Sequence, residues 1–175
     1  AELMTFDGTP VDCPNEYYYM TCHRPEHTAN EGPLMEILSA MEELDAPVIF
    51  PVHPRTQKLA CALKSKYHLN NVQMVQPVGY LTSVYLTSHA KRIVTDSGGL
   101  QREAFFAEVP CVTILNYNGW PETTVSNRNQ LCAPEKSEIL KKLSAVQTIY
   151  PNYQPFGDGH ASEKITQHIV EYLGK

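Results

Sequence analysis

The sequence predicts an α/β fold built on an open, doubly wound, mostly parallel sheet. Three observations predict it. Short apolar segments alternate with amphipathic segments of ~10–15 residues, the rhythm of βαβ units. The short segments are apolar without clean alternation, as strands are when helices cover both faces of a sheet. The chain has 175 residues, 42% hydrophobic and 19% charged, with 13 Pro and 9 Gly. That is ordinary globular composition for one domain with a substantial core, and it excludes disordered, collagenous and coiled-coil chains.

Residues 17–22 (Tyr-Tyr-Tyr-Met-Thr-Cys) form an aromatic-rich strand that runs into the loop His23-Arg24-Pro25; Pro25 disfavours helix at Arg24. The tyrosines read as core and edge packing. From Asn30, Leu34, Ile37, Leu38, Met41 and Leu44 recur at steps of three and four, marking a helix that Pro47 stops. Val48–Phe50 is the second strand, closed by Pro51-Val52-His53-Pro54, and Leu59, Leu63 and Tyr67 mark the next helix. Val72–Val75 is a strand, with Tyr80, Val84 and Leu86 in a helix behind it. Arg92–Thr95 is a strand running into Asp96-Ser97-Gly98-Gly99, followed by a helix over Leu100–Ala107. Cys111–Leu115 is a further strand. Asn116–Asn129 is a polar loop with a helical turn near Glu122. Gln130–Cys132 is a last short strand, and Glu135–Val146 and His160–Leu173 are terminal helices. The aperiodic, Pro-containing residues 1–16 form an irregular leading segment, and 17–175 form the domain.

Net charge is −5, without the basic excess of a nucleic-acid surface. No apolar run approaches the ~18 residues of a membrane span, and Ala1–Pro14 carry no signal-peptide pattern. No nucleic-acid or membrane partner is therefore expected, and the expected compartment is the cytoplasm. Cys13, Cys22, Cys61, Cys111 and Cys132 are odd in number and include no CxxC pair, which argues against a disulfide framework or a zinc ribbon. Cys22, Cys61 and Cys111 read as buried small hydrophobes.

In an open parallel sheet, ligands bind beyond the carboxyl ends of the strands. The candidate loops are His23–His27, His53–Arg55, Val78–Ser83, Ser97–Gly99 and Asn116–Glu122. The strongest local pattern is Thr95-Asp-Ser-Gly-Gly-Leu-Gln-Arg-Glu103. Two glycines at a strand-to-helix junction let a ligand approach the backbone, and the first helical amides favour an anion. Ser97 can cap the helix or donate to a phosphate oxygen. Glu103, about one turn in, could accept hydrogen bonds from two ribose hydroxyls. A capped helix after a tight turn is the plainer alternative. His23-Arg24-Pro25-Glu26-His27 gathers groups for acid–base work or a phosphate. Its alternatives are a solvated polar loop and a metal site, and Pro25 forbids the helix that would place His23 and His27 on one face. Arg55 reads as a phosphate ligand or as a helix-start cation.

Six motifs then follow in a known order: Tyr19-Met-Thr-Cys-His-Arg-Pro-Glu, Phe50-Pro-Val-His-Pro-Arg-Thr, Gln76-Pro-Val-Gly-Tyr-Leu, Thr95-Asp-Ser-Gly-Gly-Leu-Gln-Arg-Glu-Ala, Trp120-Pro-Glu-Thr and Phe156-Gly-Asp-Gly-His-Ala. From about Tyr17 to its end the chain resembles the C-terminal half of the non-hydrolysing UDP-N-acetylglucosamine 2-epimerases. The resemblance implies a Rossmann-like domain, the second half of a glycosyltransferase-B-like two-domain fold. It implies interconversion of UDP-N-acetylglucosamine and UDP-N-acetylmannosamine by elimination and re-addition of UDP, with no NAD or metal cofactor, in a homodimer of the full-length protein. It places the diphosphate at Ser97, Gly98 and Gly99, the ribose at Glu103, an activity-bearing histidine at His23 and the uracil at Val78–Ser83. Val78 and Ser83 depart from the family's Gln and aromatic, which shifts base contacts toward backbone groups. Trp120 stands where the family usually has a phosphate-supporting arginine, leaving Arg24, Arg102 or Arg128 to compensate. The family's acidic catalytic residues belong to an N-terminal domain outside these 175 residues. The alternatives are a glycosyltransferase of the same fold and a non-catalytic UDP-sugar-binding module.

Overall fold

The computed structural model describes residues 3–125, 127–145 and 153–174. Among them run β1 (Tyr18–Thr21), α1 (Pro25–Thr28), α2 (Glu31–Glu42), β2 (Val48–Pro51), α3 (Pro54–Tyr67), β3 (Val72–Val75), α4 (Tyr80–His89), β4 (Arg92–Thr95), α5 (Gly98–Phe106), β5 (Cys111–Ile114), α6 (Pro121–Val125), β6 (Asn129–Cys132), α7 (Lys136–Ser144) and α8 (Ala161–Leu173). The six strands form one sheet, every pair parallel, in the order β3-β2-β1-β4-β5-β6. The chain winds outward from β1 to β3, returns to the centre at β4 and winds outward the other way. That reversal leaves a crevice between the carboxyl ends of β1 and β4.

Alternation along the strands divides the core. Tyr18, Met20, Val48, Phe50, Val94 and Val112 face the layer that includes α2 and α7. Tyr17, Tyr19, Ile49, Ile93 and Cys111 face Leu86 of α4 and Leu100 and Ala104 of α5. The described part of the leading segment, residues 3–16, has no helix or strand, but Leu3 and Val11 join this second cluster and Thr5 bridges Val78.

Pro25 sits at the first position of α1, where its missing N–H costs nothing, and Arg24 before it is extended (φ −72°, ψ 138°). His23 therefore lies outside the helix. His27 lies inside it and is buried, so the reading of this stretch as a solvated loop fails for His27. Cys61 corrects the sequence reading in the other direction. The buried positions of α3 are Thr56, Ala60 and Leu63, which leaves Cys61 exposed. Tyr80 and Val84 lie in a helix as expected but on its open side, while Leu86 and Thr87 are buried. The end of the expected helix at Val146 falls outside the described residues. None of α8 is buried, and among the described residues no helix is long and apolar enough to cross a membrane.

Candidate functional site

The floor of the crevice is set by strand register. Thr21 and Thr95 are partners at the ends of β1 and β4, their hydroxyls 2.6 Å apart. Thr95 Oγ1 also accepts from the Ser97 amide. Asp96, between them, has a completely buried side chain. Its Oδ2 accepts from the amides of His23 (2.9 Å) and Arg24 (2.8 Å) and faces His27 Nδ1 at 3.1 Å. Its Oδ1 faces His23 Nδ1 at 3.0 Å. Burial alone would raise the pKa of this carboxyl. Hydrogen bonds from His27, from the amides of Arg24 and His23, and the charge of His23 outweigh it and hold the carboxyl below the usual range.

Asp96 thus ties the loop after β1 to the loop after β4. Arg24 adds to the tie through Nε, which donates to the Asp96 carbonyl at 2.6 Å, and its Nη1 donates to the Tyr117 hydroxyl. Cys22, His27 and Asp96 present their ligand atoms within 4.8 Å of one another. His27 Nδ1 is turned to the carboxylate, and burial, then Asp96 itself, push the Cys22 thiol well above its usual value.

On the β4 side, Ser97 caps α5, its Oγ accepting from Leu100 N at 3.4 Å. The amides of Gly98 and Gly99 open the helix and have no acceptor among the described residues. A Cβ at Gly99 would make ordinary contact with Ser97 Oγ at 3.5 Å. A Cβ at Gly98 would lie 2.9 Å from Trp120 Nε1, so the bare face of Gly98 is used by the indole. The Arg102 guanidinium lies 4.1 Å from the centre of the Trp120 ring, and its Nε donates to Gly98 O. Trp120 brings no charge itself, yet it seats a cation beside the helix start. Arg128 cannot serve the crevice, being held by Phe105 O and Glu108 behind α5.

A cavity of about 210 Å³ opens at the carboxyl ends of β1 and β2, lined in part by Tyr19, His23, His53, Pro77, Val78 and Ser83. His23 is 43% exposed there. Tyr19 and Ser83 share a hydroxyl–hydroxyl hydrogen bond of 3.0 Å. Burial raises the Tyr19 phenol to about 12, with the Ser83 bond lowering it and the Glu103 charge raising it. The structure therefore gathers His23, Val78 and Ser83 around one cavity, sets Arg24, Ser97, Gly98 and Gly99 at the β1/β4 junction, and carries Glu103 on α5 outside that lining. His53 caps α3 through Nδ1 and Arg55 is exposed. Sequence reasoning gave no role to Asp96, Tyr117 or the Tyr19–Ser83 pair. For Asp96 a signal existed: a carboxylate directly after a buried central strand needs partners.

An α/β domain whose switch-point crevice combines free helix-start amides, an anchored histidine and nearby guanidinium groups defines a class of small-molecule-binding domains suited to an anionic ligand. Comparison with known proteins narrows the class. The sequence profile described as UDP-N-acetylglucosamine 2-epimerase matches residues 6–170, and the chain belongs to that family. It is 40% identical over 160 residues to a UDP-N-acetylglucosamine 2-epimerase homolog of Methanococcus maripaludis, covering 87% of this chain and 44% of that protein. It is 37% identical over 160 residues to the UDP-2,3-diacetamido-2,3-dideoxy-D-glucuronate 2-epimerase of Pseudomonas aeruginosa, covering 89% and 43%. The crystal structure of Methanocaldococcus jannaschii UDP-GlcNAc 2-epimerase in complex with UDP-GlcNAc and UDP superposes with a TM-score of 0.78 at 33% identity, covering 90% of this chain and 46% of that one. The chain spans a little under half the length of the relatives it matches.

Proposed function

We propose that this chain is the C-terminal, nucleotide-holding half of a UDP-N-acetylglucosamine 2-epimerase and that UDP occupies the β1/β4 crevice. The observation that carries the reading is the pair of amides at Gly98 and Gly99, which have no acceptor among the described residues and head a nine-residue helix beside the loop that holds His23. Those amides and the Ser97 hydroxyl take the diphosphate. Arg24 and Arg102 supply the positive charge that Trp120 lacks. Glu103 accepts from the ribose hydroxyls, and the Val78–Ser83 turn meets the uracil through backbone groups. His23 works at the diphosphate, where negative charge builds on the leaving UDP as the anomeric C–O bond breaks. Proton transfer at C2 belongs to acidic residues of the half outside this chain, and the complete protein works as a homodimer.

Calorimetric titration of the chain with UDP and with inorganic pyrophosphate tests this. Glu103→Ala should weaken UDP about tenfold or more, the worth of a charged hydrogen bond, and leave pyrophosphate unchanged. Equal losses for both ligands would remove Glu103 from the ribose. Failure of the unaltered chain to bind UDP would remove the whole reading.

A further inference from the structure

Asp96 is the most heavily engaged side chain of the crevice, and its two oxygens are engaged differently. Oδ2 takes the amides of His23 and Arg24 and the ring of His27. Oδ1 takes the ring of His23 at 3.0 Å, with a longer 3.2 Å approach from the His23 amide. A carboxylate only accepts, so each neutral imidazole it holds must carry its proton on Nδ1. A histidine free in water favours the opposite form, with the proton on Nε2. The half-exposed remainder of the His23 ring faces the cavity it lines.

We infer that Asp96 is the positioning residue of this crevice: it holds His23 in the Nδ1–H form and confines proton gain and loss on that ring to Nε2, on the cavity side. The inference deepens the nucleotide reading, since Nε2 is then the atom of His23 that meets the ligand. It also stands on geometry that no ligand is needed to test. The asymmetry of the two oxygens makes the test selective. In Asp96→Asn the amide oxygen must take the Oδ2 position, because two backbone N–H groups there cannot become acceptors. The amide NH₂ then falls at the Oδ1 position and donates to His23 Nδ1. His23 alone should change to the Nε2–H form, while His27 keeps its proton on Nδ1.

Long-range ¹⁵N–¹H correlation spectra of the histidine-labelled chain read both rings directly, with His23→Gln assigning the His23 signals. The expected result is Nδ1–H for His23 in the unaltered chain and Nε2–H in Asp96→Asn, with His27 unchanged. An Nε2–H ring at His23 in the unaltered chain overturns the inference, and this spectrum decides even where the variant fails to fold. A variant whose His23 keeps the parental form overturns it as well. Added UDP should shift Nε2 of His23 more than Nδ1. An Nδ1–H ring that UDP leaves unmoved upholds the role of Asp96 and counts against the nucleotide reading instead.

Discussion

On the β1 side of the crevice, two backbone amides and two imidazoles converge on one buried carboxylate. On the β5–α6 side the contacts are between broad, partly exposed faces: Arg102 over Trp120, Arg24 by Tyr117, and Trp120 near Phe156 with ring centres 6.3 Å apart. The first wall is directional. Every donor is aimed at the same carboxylate, and loss of that carboxylate strands them together. The second wall rests mainly on ring faces, with single hydrogen bonds from Arg24 to Tyr117 and from Arg102 to Gly98 O. A cation over an exposed ring is worth about 0.5–1 kcal/mol and tolerates sliding. The difference teaches where this domain fixes a group and where it only places one. His23, held through both its amide and its ring, stands on the directional wall. Arg102, laid over the Trp120 ring, stands on the tolerant one.

Removing the acceptor should separate the walls most sharply. Asp96→Ala leaves two amides and the buried His27 ring without their acceptor, and stranding a buried donor costs about 1–3 kcal/mol. Urea unfolding should show that loss in the midpoint. A loss below about 1 kcal/mol would mean that the wall is not cooperative. Acid reads the same carboxylate more gently. Its pKa is lower in the fold than in the unfolded chain, so its contribution is full above the unfolded value near 4 and is lost as pH falls through the folded value. Thermal unfolding followed from pH 6 down to pH 2 should therefore lose one acid-sensitive component in Asp96→Asn relative to the unaltered chain. Asp45 and Asp158 are also held low, by Lys91 and Lys164 in the first place, but both are exposed and solvent screens them. Raised salt should erase their part of the acid dependence and leave the Asp96 part.

How far these walls could be read in the sequence follows the same division. The strands were legible because a parallel strand buried on both faces is a continuous apolar run, as in Val48–Phe50 and Ile93–Thr95. The Ser97-Gly98-Gly99 turn was legible because its pattern is local. The β6 start at Asn129 was not, since polar Asn129 is buried through its bonds to Thr113 and Thr123, partners in other elements. Asp96 was visible as a letter in a motif, but its partners lie some 70 positions away and only sheet order brings them together. Tyr80 and Val84 have core-forming chemistry, yet the fold leaves the outer side of α4 uncovered. The same holds for Ile165, Ile169 and Leu173 on α8: periodicity announces an apolar stripe, and nothing local says what it meets.

The smallest expected effect tests the tolerant wall through Gly98. A methyl group there would sit 2.9 Å from Trp120 Nε1, closer than a Cβ contact can be, so the indole must yield. Because the obstacle is a partly exposed side chain and not backbone, Gly98→Ala should cost about 1 kcal/mol, at the low end for overpacking. In a Trp120→Ala background the clash is gone, and alanine is the better helix former by about 0.5–1 kcal/mol. The same substitution should then be neutral or stabilising. The coupling between the two positions should therefore be about 1 kcal/mol or more in a double-mutant cycle. Trp120 is the single tryptophan of the chain, so its emission should move in Gly98→Ala with no other indole to confuse the signal. An additive cycle with unmoved emission would mean that the indole does not rest on Gly98. The amides at the start of α5 would then stand clear of Trp120, and the guanidinium of Arg102 would lose its seat beside them.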